Sequence, residues 1–253
     1  MRGPLGPSYI FPVAHLNMHL FVGTSGYSYK EWKGNFYPED LPDKEMLSYY
    51  GKQLSAVEIN NTFYRMPKES VLKLWAEQVP SGFRFSIKAS QRITHIKRLK
   101  DAGDETEYLL RTARTLEEKL GVILFQLPPN LKKDLDRLAR FLKTLHGDIR
   151  ATFEFRHPSW FDDEVFNLLR ENSCALCIAD FDEELEVPLV GTAPWGYLRL
   201  RRESYSTADL KKWLKRIEGQ NWKDAFVFFK HEDAGTGPKL AAQFIKLKHV
   251  TKK

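Results

Sequence analysis

Two carboxylates stand at alternating positions in short apolar runs, Glu58 in "AVEIN" (56–60) and Glu154 in "TFEFR" (152–156). Arg156 shares the face of Glu154, and Asn60 shares that of Glu58, because strand side chains alternate with period two. Other runs also deliver a polar group late: Lys88 ends "FRFSIK", Gln126 ends "VILFQ", and Asp180, Arg199, Arg201 and Lys230 close later ones. Brought together, such groups suit acid/base work, with burial and neighbouring charges moving their pKa values apart, and the cations suit developing phosphoryl charge. Pairing of these charges with one another to close a core is the plainer alternative, since an unpaired buried charge is costly. Glu58, Glu154, His157, Asp180, His231 and Glu232 could ligate Mg²⁺, Mn²⁺ or Zn²⁺. No H-E-x-x-H spacing is present, and Lys88 and Arg156 oppose a cation, so the cofactor stays unknown with a divalent metal as one option.

The elements that must position these groups are eight strand-like segments: His19 to Gly23, Ala56 to Asn60, Phe83 to Lys88, Val122 to Gln126, Thr152 to Arg156, Ala175 to Asp180, Gly196 to Arg201 and Phe226 to Lys230. Helical periodicity fills most gaps, as in "KESVLKLWAEQV" and "DDEVFNLLREN", with Gly121 and Gly147 placed as helix stops and a last helix beginning at Pro238. Strand and helix in alternation predict an α/β fold, a (β/α)₈ TIM barrel, with an open doubly wound sheet as competitor. The run from Asp180 to Gly196 has no helical period, so the barrel is irregular between strands 6 and 7. In such a barrel the polar strand ends meet at the C-terminal mouth.

The connecting loops add candidates. "GTSGYSYKEWKGNFYP" holds Tyr27, Tyr29, Trp32, Phe36 and Tyr37, which could stack a sugar or base or form a small hydrophobic cluster. "KASQRITHIKRLK" (88–100) carries five cations and no acid, and reads as a solvated basic face or as a phosphate contact. Gly235, Thr236 and Gly237 precede Pro238 and could aim backbone amides at an anion, or simply cap the helix.

A net charge of +6 favours an anionic partner. Cys174 and Cys177 form one C-x-x-C without a second pair and face opposite ways in a strand, so buried thiols are expected rather than a metal or redox pair. No apolar run approaches the roughly 20 residues that span a bilayer, and prolines interrupt the opening residues, so a cytoplasmic protein without membrane association is expected. Residues 1–17 read as an N-terminal extension and residues 18–253 as one barrel domain; the oligomeric state is left open.

The strings "FVGTSGYSYKEWKGNFYP", "VEINNTFYRMP", "FRFSIKASQRITH", "LGVILFQLPP" and "FEFRHPSWF", in this order, resemble the DUF72 or YecE-like family over about residues 20 to 248. The resemblance implies a TIM barrel and no established reaction. It implies Thr24, Ser25, Gly26, Trp32, Glu58, Asn60, Thr62, Phe63, Tyr64, Lys88, Thr94, His95, Gln126, Glu154, Arg156, His157 and Trp160 as the characteristic positions. The last strand departs from the family's F-N-N: it reads Phe229-Lys230-His231-Glu232, so contacts made by asparagine amides would here be ionic.

Three functions remain in view. In the first, an enzyme acts on a phosphate-containing small molecule or nucleic acid, by preference hydrolysing a phosphodiester. Glu154 is its general base or metal ligand, Glu58 the partner, His157 or His231 the proton carrier, and Lys88, Arg156 and Arg201 the charge stabilisers. Thr24, Ser25, Tyr27, Trp32, Asn60, Tyr64, His95, Gln126, Trp160, Lys230, Gly235 and Gly237 then line the substrate site. In the second, a sugar isomerase or hydrolase stacks its ring on Trp32 and Tyr27 and works through the paired carboxylates. In the third, a noncatalytic barrel tracks a nucleic-acid backbone.

Overall fold

The computed structural model describes residues 18–181, 185–230 and 235–250, so the expected extension over residues 1–17 lies outside it. Parallel strands β1 (His19–Ser25), β2 (Ala56–Ile59), β3 (Arg84–Lys88), β4 (Leu120–Gln126), β5 (Ala151–Glu154), β6 (Ala175–Asp180), β7 (Trp195–Leu200) and β8 (Asp224–Phe229) pair in sequence order. The barrel closes where β8 meets β1, with His19 beside Asp224 and Thr24 beside Phe229. Helices α1 (Met46–Gln53), α2 (Glu69–Glu77), α3 (Gly103–Ala113), α4 (Leu135–Leu142), α5 (Asp163–Glu171), α6 (Thr207–Glu218) and α7 (Thr236–Val250) alternate with them. Between β6 and β7 no helix forms among the described residues, as the aperiodic sequence there predicts.

Alternation along the strands sorts apolar side chains into two cores. Val57, Phe85, Ile123 and Phe153 pack outward with helix residues such as Leu72, Leu109, Phe141 and Leu169. Ala56, Val122, Leu124, Tyr197, Phe226 and Phe228 form a separate cluster inside the barrel. Each fully buried Phe or Leu stabilises by about 2 kcal/mol. Cys174 belongs to the outer core and Cys177 to the inner one. Both are free thiols, and burial pushes Cys174 up to about 12 and Cys177 well above its ordinary value, so neither is poised to react.

Side-chain caps set several helix starts: Asp134 accepts from Arg137 N, Asp162 from Val165 N, and Ser206 and Asp209 cap α6 reciprocally. Two expected helix stops lie elsewhere. Gly121 sits inside β4, because the helix before it ends at Ala113 and the chain bends through Arg114–Lys119, with Glu117 at φ 51°. A Cβ at Gly121 would lie 3.1 Å from both the Phe226 ring and the Phe85 carbonyl, so close strand packing is what glycine serves there. Gly147 falls in a turn beyond the end of α4. Helix α7 starts at Thr236, which places Gly237 and Pro238 inside its first turn.

Candidate functional site

At the C-terminal mouth the interior side chains change from apolar to charged. Glu58 near the end of β2, Glu154 at the end of β5 and Arg199 near the end of β7 are all buried and form one unit. Arg199 Nη2 donates to Glu58 Oε1 at 2.8 Å, and Arg199 Nη1 donates to Glu154 Oε2 at 2.5 Å. Glu58 also accepts from Ser25 Oγ (2.7 Å), Tyr197 OH (2.7 Å) and Asn60 Nδ2 (3.2 Å), and Glu154 accepts from Gln126 Nε2 (2.7 Å). Ser86 Oγ, one layer deeper, lies 2.7 Å from Tyr197 OH. Burial pushes the Glu58 carboxyl up, but Arg199 and the hydrogen bonds from Tyr197 and Ser25 outweigh it and hold it at about 2. Glu154 is lowered in the same way: burial raises it, and Arg199, Arg201 and Gln126 more than compensate.

Above this unit lie further cations. Arg156 and Arg201 each come within 3.9 Å of Glu154 Oε1, and both guanidinium groups lie over the Phe181 ring, at 5.2 and 5.0 Å. Arg201 Nε and Nη1 and Arg199 Nε are buried and have no hydrogen-bond partner among the described residues. Lys88 Nζ rests on the Phe63 ring at 4.4 Å, and its backbone carbonyl accepts from Thr62 Oγ1 at 2.7 Å. Burial and then Arg199 push the Lys88 ammonium down to about 8, opposed by Glu58 and Glu154. His95 is lowered by burial, Lys88 and Arg156; its Nδ1 lies 2.9 Å from Thr94 Oγ1 and its ring meets Phe63 edge-on at 4.9 Å.

Glu58, Lys88, Gln126, Glu154, Arg156 and Arg201 therefore gather as their strand positions predict, with Ser25, Asn60 and His95 at the margin. Tyr64 stands on the turn after β2 with 75% of its surface exposed. Other candidates are placed elsewhere. Trp32 is fully buried in the first loop among Tyr29, Phe36 and Tyr37, so that loop folds as its own aromatic cluster and offers no Trp32 face to a ligand. Tyr27 is partly buried against Tyr50 and Trp75 and lines a cleft of about 330 Å³ with Gly26, Asn60 and Asn61. Trp160 is also sealed: it stacks on Phe155 at 4.6 Å and donates from Nε1 to the Leu131 carbonyl.

Thr24 is buried and tied to Tyr50 OH and the Gly26 carbonyl. His157 caps its own turn, its Nδ1 accepting from Ser159 N at 3.2 Å. Asp180 points away from the mouth and accepts from Arg202, Tyr205 and Trp213. In the basic run, Arg92 and Lys97 both pair with Glu105 from α3. Lys230 continues β8, its amide donating to the Leu200 carbonyl. Gly235 is buried with φ +74°, and the residues that would complete an anion loop there, His231 and Glu232 among them, lie outside the described residues.

For a metal the described donors fit poorly. No three His, Cys, Asp or Glu side chains come together among the described residues, and Arg199 fills the place between Glu58 and Glu154 that a cation would need.

A family model described as a protein of unknown function, DUF72, matches residues 21–253. The chain belongs to the DUF72 family. This DUF72 chain is 24% identical over 226 residues to UPF0759 protein YunF of Bacillus subtilis, covering 84% of the chain and 78% of that protein. It is 35% identical over 117 residues to UPF0759 protein YecE of Escherichia coli, covering 46% of the chain and 43% of that protein. A crystal structure of a DUF72 family protein from Thermotoga maritima superposes with a TM-score of 0.82 at 26% identity, covering 91% of this chain and 99% of that one. A DUF72 family protein from Enterococcus faecalis shares the fold with a TM-score of 0.73 at 17% identity, over 92% and 96% of the two chains.

Two members of the DUF72 mouth escape the sequence-derived site. Arg199 is visible as a strand-end cation, but its role as the bridge between Glu58 and Glu154 is not, and Tyr197 looks like core. The available signal is spacing: Tyr197 and Arg199 share one face of β7 and Arg201 continues that alternation just beyond its end, so a single inward Arg forecasts two more inward groups. Among the described residues no helix is long and apolar enough to cross a membrane.

Proposed function

We propose that this protein is an enzyme that anchors its substrate through a phosphate at the mouth of the barrel, and that a nucleic-acid or nucleotide phosphodiester is what it cleaves. The observation that carries this reading is Arg201, whose guanidinium is largely buried at the mouth, with Nε and Nη1 lacking any hydrogen-bond partner among the described residues and Glu154 Oε1 standing 3.9 Å off. A buried donor left unpaired is costly, and an anionic oxygen is the acceptor that best repays it. Four cations, Lys88, Arg156, Arg199 and Arg201, surround two carboxylates there, so one phosphate would find net positive charge.

Roles then follow from the charge and place of each group. Glu58 and Glu154 stay ionised and have their oxygens taken by Arg199 and its neighbours, so they fix the guanidinium in place instead of carrying protons. Arg156 and Arg201 take phosphate oxygens and stabilise charge as it develops. His95, held below its ordinary value and so neutral at pH 7, carries the proton. Exposed Tyr64, packed edge-on against Phe63, offers a stacking face for a base beside the anion site.

The test is direct. Inorganic phosphate, a nucleoside monophosphate and a neutral sugar are titrated by calorimetry, and labelled single- and double-stranded oligonucleotides are incubated with and without Mg²⁺, Mn²⁺ or Zn²⁺. Phosphate-dependent binding that Arg201→Gln weakens at least tenfold, with oligonucleotide cleavage, is the expected outcome. Binding that falls steeply with salt, without turnover under any metal, would leave a noncatalytic nucleic-acid barrel; indifference to phosphate would remove the anion site itself.

A further inference from the structure

Lys88 is the one strand-end cation of the mouth that neither pairs with an acid nor donates to any acceptor among the described residues. Its amine lies on the face of Phe63, while Thr62 Oγ1 pins its carbonyl and so fixes where the side chain starts. The charged groups around it come from every side of the mouth: Glu58 on β2, Glu154 on β5, Arg199 on β7 with Arg201 just beyond its end, and His95 in the loop after β3. Guanidinium groups already supply permanent charge for an anion, and a fourth anchor of the same kind would add little. What an ammonium can do, and a guanidinium cannot, is give up its proton and become a nucleophile. With its amine held near 8, roughly a tenth of Lys88 is free base at pH 7, about two hundredfold more than for an ordinary lysine.

We propose that Lys88 forms a covalent imine with an aldehyde or ketone carbon of a substrate whose phosphate is held by Arg156 and Arg201. The Nζ lone pair adds to the carbonyl carbon, the two amine protons leave with the carbonyl oxygen as water, and a C=N bond remains. The inference takes only the anion anchor from the preceding reading and goes beyond phosphodiester hydrolysis, since an amine attacks carbon.

The experiment uses the whole chain and pyridoxal 5′-phosphate, an aldehyde bearing a phosphate, at less than one equivalent, followed by cyanoborohydride to reduce the imine and peptide mass spectrometry to place it. Lys88 is expected to be labelled at least tenfold faster than exposed lysines such as Lys73 and Lys132. Its labelling should rise as pH increases through about 8, and excess inorganic phosphate should suppress it. Labelling of Lys88 no faster than that of exposed lysines overturns the proposal, even where phosphate itself still binds. If pyridoxal without its phosphate labels Lys88 equally fast, the imine stands and the anion anchor falls. Lys88→Arg keeps the positive charge, so it should retain phosphate binding and lose the adduct. Parallel trapping with glyceraldehyde 3-phosphate and with an oligonucleotide carrying an abasic aldehyde assigns the carbonyl to a small molecule or to a polymer; trapping of neither also overturns the proposal.

Discussion

The two ends of the barrel treat charge in opposite ways. At the N-terminal floor, Arg150 lies over the Trp195 and Phe226 rings and donates to Asp224, which His19 also contacts at 3.1 Å. Arg84 lies over Phe21 and donates to the carbonyls of Ser81 and Phe83. Each floor cation thus has an acceptor. At the mouth, Arg199 bridges both buried carboxylates, leaving that trio with one negative charge, and Lys88, Arg156 and Arg201 bring three more cations to it. Floor charges pair off where they stand, whereas four cations against two carboxylates leave the mouth net positive, and it is that net charge that suits an anionic ligand.

The sharpest way to break this contrast is at Arg199. Removing it leaves Glu58 and Glu154 buried without their shared counterion, a change that costs about 3–5 kcal/mol. Arg199→Met should therefore shift the urea midpoint strongly at unchanged slope, and a loss below about 1 kcal/mol would show that the triad is not structural. Next comes Arg201→Gln. Its Nε and Nη1 have no hydrogen-bond partner to lose among the described residues, so stability should hold within about 1 kcal/mol while phosphate affinity falls by about 1.5–3 kcal/mol, the worth of a charge-assisted hydrogen bond. Equal damage to folding and binding would erase the distinction between the two arginines.

The same division explains what was legible in the sequence. Glu58, Lys88, Gln126, Glu154 and Arg156 are readable because a barrel brings strand ends together and alternation says which residues face inward. Arg199 pairing with Glu58 and Glu154 is not, since it joins strands that are not neighbours in the sheet and depends on side-chain reach. Trp32, Tyr29, Phe36 and Tyr37 have the same composition whether they stack a ligand or one another, and only packing separates the cases. His157 before Pro158 resembles a catalytic histidine as much as the turn cap it is. Gly121 misleads because a glycine needed for close strand packing and a glycine ending a helix look alike after a helical run.

Titration sharpens the comparison at smaller amplitude. Glu58 is held at about 2, below its unfolded value, so its contribution is complete above about 4.5 and is lost as pH falls towards 2. Lys88 acts in the other direction. Its folded value of about 8 lies below the ordinary 10.5, so the unfolded chain binds more protons between those limits. Stability from this group therefore rises with pH across that window, and its penalty is fully present below 8. Lys88→Met should raise stability at pH 7 and flatten the rise measured by urea unfolding from pH 8 to 10.5; an unchanged slope would place the amine in water.

The smallest effect belongs to the floor. Asp224→Asn removes the acceptor shared by Arg150 and His19, but both partners are substantially exposed, with side-chain accessibilities of 41% and 77%. Water and salt screen such pairs, and their loss costs at most about 1 kcal/mol. The amide keeps one oxygen for Arg150, and the guanidinium keeps its contacts with Trp195 and Phe226. Asp224→Asn should thus leave the urea midpoint nearly in place and phosphate affinity unchanged, although it raises the barrel's net charge by one unit, where Arg201→Gln lowers it by one. Phosphate titrations of the two variants side by side test whether position at the mouth, and not total charge, governs the anion: strengthening by Asp224→Asn as large as the weakening by Arg201→Gln would mean that the protein attracts phosphate only as a basic surface.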